Sequence, residues 1–470
     1  MIYFNYITNF ITILAVGFYI ITALQWYSYK IDRVIFKFSK YQWHILYFVL
    51  PIATYYLANK FYWIYLYFGV LPSLFIWYKK LDKPLVFTAR VKRYFFLLIS
   101  LTLLSYLFDY YFKAPHGVFL PIILAIIGSD IIERILFNGY KRKAKQKLKE
   151  INPKIIAITA SYGKTSIKNY LYQLLEDKFN TYKTPRSVNT LKGLVADVNN
   201  NLSSNVDIYI AEAGARQKGD IKEIVEFLEN EYAIIGKIGP QHIEYFKTIE
   251  NIIDTKKEIL LSPNLKKAIT YDIDDEKCIK IQDKIKNIKA TLEGVEWDLE
   301  YNNENIHLFA PILGGFNALN ISLSFYMAKE LGVESDYLIR KIAKLKSIPH
   351  RLQKIEAGGK FIIDDSFNGN IEGMLESIEL VKQFNGKKII ITPGLVEANK
   401  EMNEKLAKKI DEVFDTVIIT GDLNRKILCE NIHKPNKIFL ADKSKLEKIL
   451  AENTKAGDLI LFSNDAPSFI

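Results

Sequence analysis

Ile155-Ile156-Ala157-Ile158-Thr159-Ala160-Ser161-Tyr162-Gly163-Lys164-Thr165-Ser166 is an apolar, β-branched run that ends in a Gly-Lys-Thr-Ser turn. That order is how a phosphate-binding loop follows a strand and opens a helix, and Ile167 to Lys178 read as the helix. Such a loop, here with Ser161, Gly163 and Ser166 as nucleotide-binding residues, wraps phosphates with backbone N–H groups, Lys164 sets a cation against their terminal oxygens, and the Thr165 hydroxyl is a natural ligand for Mg²⁺. The general pattern places a glycine five residues before Gly163, where this chain has Ile158. The residues that follow over the next hundred positions decide what the loop serves.

The 470 residues suffice for about three domains, and charge divides them sharply. Residues 1–150 hold 19 Lys and Arg against 6 Asp and Glu, whereas the remainder holds 44 against 46. The basic excess belongs to the N-terminal part alone, which argues against nucleic acid as a partner of the region after it. Cys278 and Cys429 are the only cysteines and lie far apart, so neither a disulfide framework nor a zinc site is expected.

Residues 1–29 carry no charged side chain, and further charge-free stretches cover 41–59, 61–78, 94–108 and 114–129. A bilayer-crossing helix needs about 20 apolar residues, so these stretches predict a transmembrane region over 1–140 with about five helices. Basic residues concentrate at 30–40, 79–93 and 141–149, with poorer connections between. That alternation predicts a multi-pass protein of the bacterial inner membrane in contact with membrane lipid, with everything after Lys141 in the cytoplasm.

From Ile151 short β-branched runs alternate with amphipathic helices, the pattern of a mostly parallel sheet covered on both faces. Expected strands are Lys154–Thr159, Val206–Ala211, Tyr232–Ile238 and Ala268–Tyr271, with helices at Ile221–Glu229 and Ile249–Leu261. A second set follows at Lys360–Asp364, Lys388–Thr392, Thr416–Thr420, Lys437–Leu440 and Asp458–Phe462. The fold class expected is an N-terminal helical transmembrane region followed by two α/β domains. These are a central phosphate-loop ATPase-type domain over 151–348 and a Rossmann-like C-terminal domain over 349–470.

The segment Thr159-Ala160-Ser161-Tyr162-Gly163-Lys164-Thr165-Ser166-Ile167-Lys168 resembles the ATP loop of the Mur ligases, with Ala160 where that family has glycine. Further motifs occur in the family's order. Asn189-Thr190-Leu191-Lys192-Gly193 is similar to a segment that contacts the muramoyl substrate, with Thr190 in place of a second asparagine; capping of the next helix is the alternative use. Ala211-Glu212-Ala213-Gly214, with Gly219-Asp220-Ile221, resembles the Glu-x-Gly and Gly-Asp-Ile elements, which gives Glu212 a metal role. Gln241-His242-Ile243-Glu244 and Thr255-Lys256-Lys257-Glu258-Ile259 look like the family's metal-associated histidine and its carbamylated lysine. On that alignment His242 and Lys256 are catalytic and metal-linked, with Lys257 adjacent. Gly314-Gly315-Phe316-Asn317-Ala318-Leu319-Asn320 resembles the adenine-side segment, with Phe316 for histidine. His350-Arg351 and Asp364-Asp365-Ser366-Phe367-Asn368 resemble the segments that bring Arg351 and Asp365 to ATP.

The resemblance is closest to the branch that joins D-alanyl-D-alanine to a UDP-N-acetylmuramoyl tripeptide. It implies an ATP- and Mg²⁺-dependent carboxylate–amine ligase of peptidoglycan synthesis, with Lys164 as a catalytic cation. The partners it implies are the muramoyl peptide, D-Ala-D-Ala and membrane-bound enzymes of the same pathway. Family members hold the uridine nucleotide on a small N-terminal domain, whereas an apolar region stands there in this chain. Either other loops hold that group or the acceptor differs, for instance a lipid-linked or non-muramoyl carboxylate. A transporter driven by a phosphate-loop ATPase is the remaining rival.

Overall fold

The computed structural model describes residues 2–27, 29–36, 40–58, 61–81, 83–112, 117–240, 243–367, 369–396 and 398–464. Residues Met1–Gly139 form one compact unit and Tyr140–Ile470 a second. The first unit is helical, with long helices at Ile2–Trp26 and Ala89–Phe112. Its interior is aromatic: Tyr19 and Trp77 are buried, and the Tyr19 hydroxyl hydrogen-bonds His44 Nδ1 at 2.7 Å.

The multi-pass inner-membrane location expected from the sequence needs correction. Among the described residues two helices, Tyr3–Trp26 and Ala89–Phe112, are long and apolar enough to cross a membrane by length and composition, against the five spans expected. The stretches 41–58 and 62–79 are built from short α and π segments, and the helix Phe119–Ile151 carries Asp130, Glu133 and Arg134 near its middle. Of the apolar windows in Tyr3–Trp26 and Ala89–Phe112, 61% and 11% respectively are buried inside the protein, so length and composition are all that they share. Length and apolarity do not separate a core helix from a spanning one, and the charge alternation has meaning only if the spans exist.

In the second unit the first sheet has the order β2-β3-β1-β4-β5-β6 and is parallel throughout. Its strands are β1 Lys154–Thr159, β2 Thr181–Lys183, β3 Ile208–Glu212, β4 Tyr232–Ile235, β5 Lys267–Thr270 and β6 Cys278–Lys280. β1 is central, and its isoleucines are buried on both faces, as a doubly covered parallel strand requires. Helix α1 (Lys164–Leu175) follows β1, α2 (Leu191–Asn201) precedes β3, and α3 (Asp220–Leu228) precedes β4. In α3 the residues Ile221, Ile224, Val225 and Leu228 recur at helical spacing and are all buried. Helix α4 (Ile249–Lys257) continues into a short 3₁₀ turn, Glu258–Leu261.

A three-stranded antiparallel meander comes next, β7 Ile285–Thr291, β8 Gly294–Tyr301 and β9 Glu304–Ala310. Strand signals are weak there because β7 alternates Lys and Asn with its apolar residues and is largely exposed. The meander seats on α5 (Phe316–Glu330), a helix with no exposed face over Asn317–Ala328, and α6 (Ser335–Ile342) follows. Trp297 of β8 is fully buried and donates its indole N–H to Ser322 Oγ at 2.9 Å. Ser324 Oγ donates to the Ile167 carbonyl, which ties α5 to α1.

The second sheet has the order β10-β11-β15-β12-β13-β14, antiparallel only between β10 and β11. Its strands are β10 Gln353–Ala357, β11 Lys360–Asp365, β12 Lys388–Thr392, β13 Thr416–Thr420, β14 Asn436–Leu440 and β15 Leu459–Ser463. Helices α7 (Ile371–Lys382) and α8 (Lys400–Val413) cover one face. The fold class expected for this region, two α/β layers with largely parallel sheets, is the one observed. β3 ends one residue later than expected, because Glu212 still pairs in register with Ile158.

Trp297→Ala removes a fully buried indole and strands the Ser322 hydroxyl. We expect a loss of about 3–5 kcal/mol in stability, read as a lowered midpoint in denaturant unfolding of the full chain.

Candidate active site

Carboxyl ends of adjacent parallel strands leave a crevice, and the loops after β1 and β3 open into it. Between β1 and α1 the chain turns at Gly163, whose φ of 83° is left-handed. A Cβ there would stand 2.5 Å from Asn320 Oδ1, so only glycine lets the loop lie against α5. The loop is held from below: Ser161 N donates to the Lys237 carbonyl at 3.0 Å, and Ser161 Oγ to the Gly239 carbonyl at 2.9 Å. The Ser161 hydroxyl is therefore structural, and the Ser166 side chain is buried.

Lys164 Nζ donates to the carbonyls of Ala160 and Ser161, folded over its own loop. Burial pushes this amine down to about 8; the Glu212 charge opposes the shift and the Arg351 charge adds to it. Thr165 Oγ1 donates to Glu212 Oε2 at 3.3 Å. Glu212 is fully buried, and its Oε1 lies 2.7 Å from Lys168 Nζ. Lys168 also donates to the carbonyls of Thr184 and Arg186, so its ammonium is fully engaged. The sequence motif contains Lys168 without marking a role for it, yet a lysine among Ile167, Tyr170, Leu171, Leu174 and Leu175 is a signal of a buried partner.

Lys256 is buried near the end of α4. Its amine lies well below the ordinary lysine range, chiefly through burial and then through the charge of Lys164, while Asp220 and Glu258 pull the other way. Glu258 accepts the N–H groups of Gly219 and Lys222 at 2.7 and 3.0 Å, which ties the start of α3 to the segment carrying Lys256. No local sequence signal marks Glu258 for that role. His242 lies outside the described residues. Among the described residues no group of three or more His, Cys, Asp and Glu side chains converges as a metal cluster. A carboxylate and a hydroxyl do converge, at Glu212 and Thr165, and these two oxygens suit a hard divalent cation beside phosphates.

Asn317 and Asn320 sit at the start of α5 and are both buried. Asn317 Nδ2 donates to the Leu313 carbonyl at 2.7 Å, and Asn320 Nδ2 to Asn317 Oδ1 at 3.1 Å. Neither caps the helix: the N-cap residue is Gly315 and has no capping side chain. Asn189 lies beside Gly214, whose N–H donates to the Asn189 carbonyl at 2.8 Å. Thr190 Oγ1 accepts from Gly193 N and so caps α2.

Arg351 and Asp365 come from the second α/β layer. Arg351 Nη1 donates to the Phe367 carbonyl at 2.6 Å, and its guanidinium feels Asp365 and Glu212. Asp365 is buried, and its Oδ1 accepts Leu352 N at 3.3 Å. His350, with a left-handed φ of 64°, bonds Asp364 through Nδ1 at 2.7 Å and packs edge-on against Phe367. Those contacts stiffen the loop from which Arg351 projects. Lys164 and Arg351 thus gather around Glu212, with Lys256 close to Lys164, an arrangement of basic side chains suited to a polyphosphate.

Two outcomes are expected. Lys168→Met leaves a buried carboxylate unpaired and should cost about 3–5 kcal/mol, measured as thermal unfolding, with nucleotide binding lost in whatever protein remains folded. The depressed Lys164 amine is charged below about pH 8 and neutral above it. Affinity of the ligand-free protein for a nucleoside triphosphate should therefore be full below that pH and fall as pH rises through it. A titration across this range checks the sign, and Lys164→Met should flatten the profile.

Comparison with known proteins accords with this geometry. The Mur ligase middle domain matches residues 158–328 and the Mur ligase, glutamate ligase domain, matches residues 350–464, together more than half of the chain. Both matches lie beyond residue 157, so this likeness lends nothing to membrane spans in the N-terminal unit. The UDP-N-acetylmuramoyl-tripeptide–D-alanyl-D-alanine ligase of Bacillus subtilis is 26% identical over 349 residues, covering 69% of this chain and 76% of that protein. The ligase of the same name from Escherichia coli is 23% identical over 272 residues; the match covers 54% of this chain and 60% of that protein, less than two thirds of its length. The crystal structure of MurF ligase from Thermotoga maritima in complex with ADP superposes with a TM-score of 0.60 at 27% identity, covering 70% of this chain and 80% of that one. A MurF structure from Acinetobacter baumannii, at 19% identity and a TM-score of 0.63, shares the fold over 70% of this chain and 78% of its own. With a phosphate loop on the first matched domain and an arginine from the second whose charge reaches that loop, the chain belongs to the Mur ligase family of ATP-dependent amide-forming ligases.

Proposed function

We propose that the chain joins D-alanyl-D-alanine to a UDP-N-acetylmuramoyl tripeptide with hydrolysis of ATP to ADP and phosphate, with 151–348 as the ATP-binding domain and 349–470 as the domain that closes on it. The observation that carries this reading is the gathering of Lys164, Thr165, Glu212 and Arg351 at one crevice in a chain similar to ligases of that name.

In this reading the γ-phosphoryl group passes from ATP to an oxygen of the tripeptide's terminal carboxylate, giving an acyl phosphate and ADP. The amine of D-Ala-D-Ala then attacks the acyl carbon, the bond to phosphate breaks, and the amine proton is lost. Lys164 stabilises the negative charge that develops on the transferring group, and Arg351 adds to it from the second layer. Glu212 and Thr165, with His242, would hold Mg²⁺, which when bound neutralises phosphate charge and favours in-line transfer. Burial shifts the Lys256 amine toward its neutral form, the form that can add to CO₂ with loss of a proton to become a carbamate anion. That carbamate would supply a further anionic oxygen on the metal side. In this reading Asn189, whose carbonyl accepts the Gly214 N–H, is assigned to the muramoyl substrate; Asn317 and Asn320 serve the adenine side.

One observation favours a second acceptor: the family match begins at residue 158, and a helical unit precedes it. The same chemistry on a carboxylate not carried by uridine diphosphate would leave the phosphate cradle unchanged.

Phosphate release with ATP, Mg²⁺, UDP-muramoyl tripeptide and D-Ala-D-Ala, each omitted in turn, is expected to need all four, with the pentapeptide product seen by mass. Lys164→Ala should lower kcat by about 100-fold or more. Phosphate release that continues without D-Ala-D-Ala would sink the ligase reading, and turnover only with a nucleotide-free acceptor would select the second one.

A further inference from the structure

Helix α5 carries Asn317 and Asn320 yet lacks a cap of its own, because its N-cap residue is Gly315, which offers no side-chain acceptor. The first N–H groups of a helix have no partner within it, and here Gly315 and Phe316 are half-buried while the residues from Asn317 onward are buried. The acceptor comes from the second α/β layer. Glu376 of α7 takes the Phe316 N–H on Oε1 at 3.1 Å, and the Gly315 N–H faces the same carboxylate. A carboxylate at a helix N-terminus is favoured both as an acceptor and by the helix dipole. Burial raises the Glu376 carboxyl above the usual range, while these two N–H groups pull it back down.

Three observations place this contact at the closure of the two layers. Glu372, one turn earlier on α7, pairs with Lys237 at 2.7 Å, and the Lys237 carbonyl supports the phosphate loop through Ser161 N. Phe316, the first residue of α5, packs against the second layer's core, which includes Leu352 and Met374. Beside Glu376 the seam is open, with a cavity of about 390 Å³ bordered by Ala290, Gly314, Leu380 and Gln383. Close packing does not hold that stretch of the seam, so its polar contacts matter more. The Lys237–Glu372 pair is largely exposed and contributes little by itself.

We propose that Glu376 is a positioning residue that completes the N-terminus of α5 from the second layer, so that Asn317 and Asn320 are set for the nucleotide only when the two layers are closed. The proposal rests on the nucleotide-binding role given to α5 under the proposed function. Opening the layers removes the cap, leaves the Phe316 N–H without its acceptor and loosens the turn that carries both asparagines. Nucleotide binding and closure then favour one another.

The test uses the full chain with Glu376→Ala and Glu376→Gln, and Glu379→Ala as a control on the same helix. ADP affinity is measured by calorimetry, closure by small-angle scattering with and without ADP, and KM for ATP separately from kcat. Glu376→Ala should weaken ADP binding and raise KM for ATP about tenfold, and should reduce the compaction caused by ADP. Glu376→Gln keeps an acceptor oxygen and should recover most of the affinity, while kcat at saturating ATP changes little in either variant and Glu379→Ala behaves as wild type. Wild-type ADP affinity in Glu376→Ala would overturn the proposal, as would equal losses in the Ala and Gln variants. If the Ala variant does not fold, Glu376→Met, which keeps the bulk of the side chain and lacks an acceptor, takes its place: a weakened ADP affinity about tenfold below wild type is expected, and wild-type affinity overturns the proposal. ADP binding and scattering need no muramoyl substrate, so failure of the ligase reading and failure of this role for Glu376 are seen separately.

Discussion

The ion pair between Lys168 and Glu212 is the constraint on which the site depends. Both side chains are almost wholly buried, and the charged atoms lie 2.7 Å apart. Taking two ions out of water costs several kcal/mol each, and the pair is tolerable only when further hydrogen bonds complete it. Lys168 has them in the carbonyls of Thr184 and Arg186. One ammonium therefore joins α1, the end of β3 and the segment after β2. Its consequence is directional: Glu212 turns its other oxygen to Thr165 at the mouth of the phosphate loop.

Around that anchor three further basic side chains gather. Burial disfavours the charged forms of Lys164 and Lys256, Lys164 adds to the shift at Lys256, and Arg351 presses in from the second layer. Cations held this close repel one another. A polyphosphate relieves that repulsion, so the arrangement of these side chains directs binding energy at the group to be transferred. The same crowding shifts the Lys256 amine toward its neutral form, which links its reactivity to the position of Lys164.

The two α/β layers meet through polar contacts at α7 and at Lys354 and through Leu313 and Phe316, whereas most of each apolar core lies within its own layer. A seam of that kind permits motion while the cores stay intact. It also explains why residues that serve one ligand are spread over two sheets: neither layer alone supplies both the loop and the arginine.

Much of this is legible in the chain. The run Ile155–Ser166 specifies strand, turn and helix, because β-branched residues suit a doubly covered strand and glycine at 163 alone accepts a left-handed turn against Asn320. Strands Lys388–Thr392 and Thr416–Thr420 match residue for residue, being short apolar runs with clear ends. The meander is not legible, because its lysines and asparagines hide a strand whose outer face is exposed. The apolar N-terminal stretches suggest five spans that the structure does not bear out, since composition does not say whether a helix is covered by lipid or by protein. Sequence by itself determined the family, the loop and the residue types that hold phosphate, because these depend on local spacing. Only the tertiary structure decided that Lys168 neutralises Glu212, that the Thr190 hydroxyl is engaged as a helix cap, and that Glu376 reaches α5. The first and last are contacts between segments far apart in the chain, and the energy of each depends on burial that no local spacing reveals.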